Sequence, residues 1–317
     1  MKRSSQTLTV GFVTDAQRRE LTPDDRLAAT EIENLGAKVV PVVWTETNSQ
    51  QALCDLLIIR SCWDYHLHCE DFLRWVAEIG AHTPVLNPPA MLCWNTDKRY
   101  LEELQDTGFP IPHTMVLERG SAVDLRAIMR LHGFEAVVVK PAISASAYGT
   151  FLVPHNKPSA FNARVGQLLQ ERVMLLQEFI PEVRTRGEWS LIFLGESFSH
   201  ALRRLPRKGD FRVQSELGGS SEPMPPPAEA LELATRLVKE FARQSLYCRV
   251  DLLEAARGWL VVELELIDPE LFFGASPAAA RRFAELALAA AAAETLRTGS
   301  SRQSDSGGTE EPHAKHS

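Results

Sequence analysis

The sequence predicts an α/β protein. Its N-terminal part reads as an open parallel sheet flanked by helices, and further α+β units follow. Three observations carry this prediction. Short apolar runs alternate with helical segments before residue 93, the rhythm of strand–helix–strand units. A shorter alternation recurs over 113–180, and strand-like runs dominate from about 188 onward. Finally, "LVVELELIDPELFF" (260–273) sets Glu263 and Glu265 one residue apart in an otherwise apolar run. In a strand those carboxylates share a face, and their repulsion, sharpened by burial, is relieved by a divalent cation or, alternatively, by solvent.

Each element has a local reason. "LTVGFVTD" (8–15) reads as a buried strand. "TPDDRLAATEIENLG" (22–36) reads as a helix: Thr22 is the N-cap, Pro23 takes the first helical position, acids fill the first turn and Gly36 is the stop. "KVVPVVW" (38–44) and "DLLIIR" (55–60) are the next strands, followed by a helix over 69–80 and a short strand at "PVLNP". "WNTDKRYLEELQDTG" (94–108) predicts one helix ended by Gly108, and "FPIPHTMVL" is extended because its prolines restrict it. In the 113–180 unit, "TMVL", "EAVVVKPA", "TFLV" and "VMLLQEFI" are strands, with helices over 121–132 and 158–171. "EWSLIFL", "ESFSHALRRL", "DFRVQ", "YCRVDLL" and "WLVVELEL" are strands, with helices over 228–244 and 277–296. The tail 297–317 lacks core-forming residues and is expected to be disordered.

Bulk properties narrow the function. The 317 residues allow two or three compact units with ample core. A net charge of -7 argues against a general nucleic-acid binder. No apolar run is long enough to span a membrane. The start "MKRSSQTLTVGFVTD" has a short, broken apolar stretch, which reads as a first strand and not a signal peptide. The five cysteines show no CxxC spacing, so free thiols in a reducing cytoplasm are expected.

Several residue groups could carry chemistry. "RSCWDYH" follows the third strand, at the carboxyl end where open sheets collect ligands. It offers Arg60, Ser61, Trp63, Asp64 and Tyr65 for a substrate; the alternative is sheet packing with an Arg60–Asp64 loop clamp. Lys140 closes an apolar strand, where a lysine needs a partner such as phosphate or else reaches solvent at an edge. "AISASAYGT" (142–150), with Ser144, Ser146 and Gly149, could bring N–H groups and hydroxyls to phosphate, or be a plain connection. Gln177, Glu178, Phe179 and Ile180 end a strand whose backbone could face an adenine edge while apolar side chains hold the ring. Glu188 could accept from ribose hydroxyls, or simply start a strand. Arg204 and Arg212 belong to a basic stretch suited to phosphate or carboxylate, or to a solvated face. Asp251 and the Glu263/Glu265 pair fall on adjacent strands joined by "EAARG", and three converging carboxylates suit Mg²⁺.

In order along the chain, Lys98, "VVVKP" with its polar loop, "QEFI", "GEWS", "RRLP…GDFR…GG", "RVD" and "ELELIDP" resemble the ATP-grasp superfamily. The resemblance covers about 5–296 and lies near bacterial glutathione synthetases, RimK-type ligases and cycloserine-forming enzymes. It implies an N-terminal α/β domain (1–93) and an ATP-grasp domain (94–296), the latter divided into a lid subdomain (113–180) and a C-terminal subdomain (181–296). Carried over by position, Lys98 and Lys140 contact ATP phosphates under the 142–150 loop. Gln177 to Ile180 line the adenine site, and Glu188 meets the ribose. Arg204 and Arg212 steady phosphates or an acylphosphate, and Asp251, Glu263 and Glu265 hold two Mg²⁺, with Mn²⁺ as a substitute. The implied activity is carboxylate–amine ligation of a small amino-acid-like substrate, in a chain that could form homo-oligomers. The alternatives are ATP binding without turnover and a small-molecule kinase. Two departures stand out: Glu265 replaces the Asn usual in glutathione synthetases, and the phosphate loop is poor in glycine.

Overall fold

The computed structural model describes residues 7–46 and 51–304. The expected parallel sheet is present at the N-terminal end. Its strands are β1 (Thr9–Thr14), β2 (Lys38–Val43), β3 (Leu56–Ser61) and β4 (Val85–Leu86), all parallel in the order β2-β1-β3-β4. Every residue of β3 is buried, as expected of a strand covered on both faces. Helix α1 (Pro23–Asn34) starts as predicted: Thr22 accepts from the Asp25 N–H at 3.0 Å, with Pro23 behind it. It buries Ala28 and Ile32 on one side of the sheet beside Phe283 and Ala287 of the last helix. The other side is covered by α2 (Cys69–Gly80), through Phe72 and Val76 against Leu57 and Ile59.

The single helix expected over 94–108 is two, α3 (Pro89–Thr96) and α4 (Tyr100–Asp106). The Asp97 carboxylate accepts from the Arg99 N–H at 2.9 Å and pairs with its guanidinium. That local bond competes with the helical ladder, and the break frees the Lys98 N–H to donate to the Ala142 carbonyl.

The second sheet is antiparallel. It comprises β5 (Thr114–Leu117), β6 (Ala136–Pro141), β7 (Phe151–Pro154) and β8 (Met174–Glu178) in the order β5-β8-β6-β7. Helices α5 (Leu125–His132) and α6 (Asn162–Glu171) supply Leu125, Met129, Val165 and Leu169 to its core.

The third sheet contains β9 (Glu188–Leu194), β10 (Ser197–Leu205), β11 (Ser220–Pro223), β12 (Tyr247–Ala255) and β13 (Gly258–Glu265), in the order β11-β10-β9-β12-β13. Helix α7 (Ala228–Phe241) packs on it, and α8 runs over Pro277–Ser304, past the predicted end at 296. The rest of the expected disordered tail, 305–317, lies outside the described residues. "DFRVQ" is not a strand, and β11 forms further on. The Asp210 carboxylate accepts from the N–H groups of Phe211 and Arg212, which folds that stretch onto itself. Among the described residues no helix is long and apolar enough to cross a membrane.

Candidate active site

A cavity opens between the second and third sheets. Its charged wall follows from strand register. Asp251 on β12 pairs with Glu263 on β13 and with Ser190 on β9. Arg249 pairs with Glu265, and Arg204 on β10 pairs with Glu188. Alternation along each strand puts these side chains on one face.

The face is a network of opposite charges. The Arg249 guanidinium donates to Asp251 at 3.0 Å and also to Glu265. Ser190 donates to Asp251 at 2.6 Å. Arg204 reaches Ser190 at 3.3 Å and Glu188 at 3.4 Å, and its Nε is buried without a partner. Lys98, 8% exposed, pairs with Glu263 at 2.8 Å and donates to the Ser144 carbonyl at 2.7 Å. Burial alone would push Glu263 up, but Lys98 and then Lys140 hold it below the usual carboxylate range. Glu265 goes the other way. Burial drives it well above that range, Arg249 offsets part of this, and Glu263 and Asp251 add to it. Glu188 is pushed up to about 7 by burial and by Asp251.

One oxygen each from Asp251, Glu263 and Glu265 lies within 4.8 Å of the others. Hard oxygen donors at that spacing suit Mg²⁺ or Mn²⁺. The cations already drawn to the cluster indicate how strongly it attracts positive charge. All three carboxylates are paired with cations, but Glu263 and Glu265 are less enclosed than Asp251 and are the readier ligands.

The other predicted residues fall into groups. Lys140, lowered by burial, lines the same cavity and has no ion pair among the described residues. Ser144 and Ser146 line it too, and Ser146 has a positive φ of 49°. Gly149 does not. Its φ is +68°, and a Cβ there would meet Pro141 at 2.9 Å, so its glycine serves the turn. Gln177, Glu178, Phe179 and Ile180 line the cavity beside Leu253 and Val262. The Glu178 carboxylate, however, pairs with Arg257, and Gln177 donates to Thr114 at 2.8 Å. Arg212 is on the wall and is held by Asp210 at 2.9 Å.

The "RSCWDY" group divides. Tyr65 lines this cavity, while Trp63 lines both it and a second one of about 660 Å³, whose wall includes Arg18, Asp24, Arg60, Ser61 and Glu270. Arg60 pairs with Asp25 at 2.8 Å, so the Arg60–Asp64 clamp does not form. Asp64 lies on neither wall and accepts from Trp44 at 2.8 Å. Wall residues that escaped the sequence reading include Arg249, Asp268 and Glu270. Arg249 sits two residues before Asp251 and so shares its strand face. Asp268 closes "ELELIDP" just beyond the glutamate pair.

Two antiparallel sheets facing each other over a cavity of lysines, arginines and clustered carboxylates define an ATP-grasp protein. The chain belongs to the prokaryotic glutathione synthetase ATP-grasp family, whose domain model matches residues 102–263. A second model, the N-terminal domain of D-cycloserine synthetase DcsG, matches residues 10–87. The chain is similar to the cycloserine biosynthesis protein DcsG of Streptomyces lavendulae, 25% identical over 296 residues, 87% of this chain and 96% of that protein. It is also similar to a glutathione synthetase of Vibrio vulnificus (strain CMCP6), 24% identical over 241 residues, 73% of this chain and 72% of that one. The crystal structure of D-cycloserine synthetase DcsG superposes with a TM-score of 0.79 at 23% identity, covering 88% and 98% of the two chains. That likeness shows the shared fold. The resemblance and fold class read from the sequence are thus borne out, and the chain is homologous to ATP-grasp ligases.

Proposed function

We propose that this chain is an ATP- and Mg²⁺-dependent ligase. It activates the carboxylate of a small amino-acid-like molecule as an acylphosphate, then closes an amide, a peptide bond or a ring. The observation that carries the reading is the pairing of Lys98 with Glu263 in a cavity that also holds Lys140, Asp251 and Glu265. Phosphate-binding cations and metal-binding anions are thereby presented to one ligand. On this reading residues 1–93 are the substrate domain and 94–296 the ATP-grasp domain, with 113–180 as its lid.

The residues divide the work. Phe179, Ile180, Leu253 and Val262 hold the adenine ring, Gln177 and Glu178 offer its edge a polar backbone, and Glu188 takes the ribose. Lys98, Lys140, Arg204 and Arg212 hold the phosphates, and the 142–150 loop excludes water. Asp251, Glu263 and Glu265 would hold Mg²⁺, which when bound would supply charge neutralisation and Lewis-acid assistance at the phosphates. A substrate carboxylate oxygen bonds to the γ-phosphorus as the β–γ bridging bond breaks toward ADP. A nucleophile then bonds to the acyl carbon, and the carbon–oxygen bond to phosphate breaks. No protein nucleophile is required.

The N-terminal similarity to DcsG favours ring closure or another specialised product, and the glutathione synthetases keep peptide formation in view. The test is ADP release with Mg-ATP across pools of amino acids, dipeptides and O-ureido-serine, with products identified by mass. A dehydrated conjugate or ring supports the ligase. A stable phosphate ester identifies a kinase, and nucleotide binding without ADP release identifies a binding protein.

A further inference from the structure

Residues 268–270 run along the wall from one cavity to the next. Asp268 lines the nucleotide-side cavity, Pro269 the second one, and Glu270 both. Trp63, which also lines both, donates to the Asp268 carbonyl at 3.0 Å and fixes this backbone. Among the described residues the Asp268 side chain makes no hydrogen bond or ion pair. It is 8% exposed, and its Oδ2 is buried without a hydrogen-bond partner. Nearby carboxylates are engaged: Asp15 with Arg18, Asp25 with Arg60, Glu263 with Lys98, Asp251 and Glu265 with Arg249. A buried carboxylate oxygen without a hydrogen-bond partner is costly to keep.

We propose that Asp268 is the proton acceptor for the second half of the reaction, taking the N–H proton of the nitrogen that displaces phosphate from the acyl carbon. This rests on the ligase reading. The nitrogen lone pair forms the new N–C bond, the C–O bond electrons leave with phosphate, and the proton moves to the Asp268 carboxylate. The location fits, because a substrate in the second cavity that presents its acyl group toward Lys98 passes this wall. The protonation range fits as well. Burial pushes Asp268 up to about 7; Arg60, Lys98 and Arg18 pull it down, and Asp15 pushes it up. The other titratable groups that feel it, Cys62, Tyr65 and Tyr247, are themselves raised by burial and stay neutral near pH 7. A base poised near the working pH is effective in proton transfer.

The test compares the full-length wild type with Asp268→Asn, Asp268→Glu and Glu270→Gln, using Mg-ATP and the substrate pools, with and without hydroxylamine. Hydroxylamine attacks acylphosphates without a base, so hydroxamate reports the first half-reaction alone. With hydroxylamine present, Asp268→Asn is expected to keep ADP release and hydroxamate formation. Its ligated product should fall about 100-fold or more, and the acidic limb of the kcat–pH profile should disappear. Asp268→Glu should restore part of both, with thermal unfolding confirming that each variant is folded. The proposal is overturned if Asp268→Asn makes product at the wild-type rate, if it loses hydroxamate and product alike, or if Glu270→Gln gives the split instead. Wild type that yields no hydroxamate with any pool refutes the ligase reading itself, and the role of Asp268 with it.

Discussion

The buried Lys98 forms an ion pair of 2.8 Å with the half-buried Glu263, and the same ammonium holds the Ser144 carbonyl at 2.7 Å. One side chain therefore ties the 142–150 loop to the strand that carries two of the clustered carboxylates. Replacing it with methionine leaves the half-buried Glu263 short of its main counter-charge. Lys98→Met is expected to lower stability by about 1–3 kcal/mol, less than the scale for a fully buried pair because Glu263 keeps part of its solvent. Urea denaturation at neutral pH measures this, and a change below about 1 kcal/mol would mean that the pair behaves as a surface contact.

Asp268 makes a pH prediction with a definite sign. Its folded value is raised to about 7 from an ordinary 3.8, with burial as the main cause. Between those values the folded protein binds the proton and the unfolded chain does not, so the contribution of this group to stability falls as pH rises through that window. Above it, the buried charge is a standing cost. Asp268→Asn should therefore gain stability relative to wild type between about pH 5 and about pH 8. A midpoint difference that is flat over this range would contradict the assignment.

Glu265 gives a prediction about metal. An Asn at this position keeps an oxygen donor and removes a charge. Glu265→Asn should raise the Mg²⁺ concentration for half-maximal ADP release on the order of tenfold while leaving turnover measurable, since ligand charge tunes cation affinity. Glu263→Gln, which also loses its tie to Lys98, should abolish turnover. A Mg²⁺ titration unchanged in both variants would remove the cluster from the metal-site reading.

Gly149 tests the loop. With φ of +68° and Pro141 at 2.9 Å from any added Cβ, Gly149→Ala should cost at least about 1–2 kcal/mol in thermal unfolding. It should also weaken nucleotide binding through the displaced loop. Wild-type stability and affinity together would show that the turn tolerates a side chain.

Much of this was legible from local pattern. Thr22, Pro23 and Gly36 bound a helix through chemistry contained in that segment. The hairpin turn sets the β12–β13 pairing as far as Leu252 opposite Val261, and a bulge beyond it, which local pattern does not announce, brings Asp251 opposite Glu263. What was not legible depends on distant partners or on local competition. Arg60 meets Asp25, which lies in another element thirty-five positions earlier, and not the nearby Asp64. Asp97 breaks a helix that periodicity alone continues, because its carboxylate captures Arg99. Arg249 and Asp268 sit among apolar residues, and only the folded cavity reveals that one is saturated with partners and the other has none at Oδ2.

The central claim is acylphosphate chemistry, and the most direct measurement follows an oxygen. The pools are supplied with ¹⁸O in their carboxylates, and inorganic phosphate from the Mg-ATP reaction is analysed by mass. The account predicts one ¹⁸O in each phosphate released, because the attacking carboxylate oxygen leaves on phosphorus. Turnover that yields only unlabelled phosphate, or a stable phosphate ester, would contradict it.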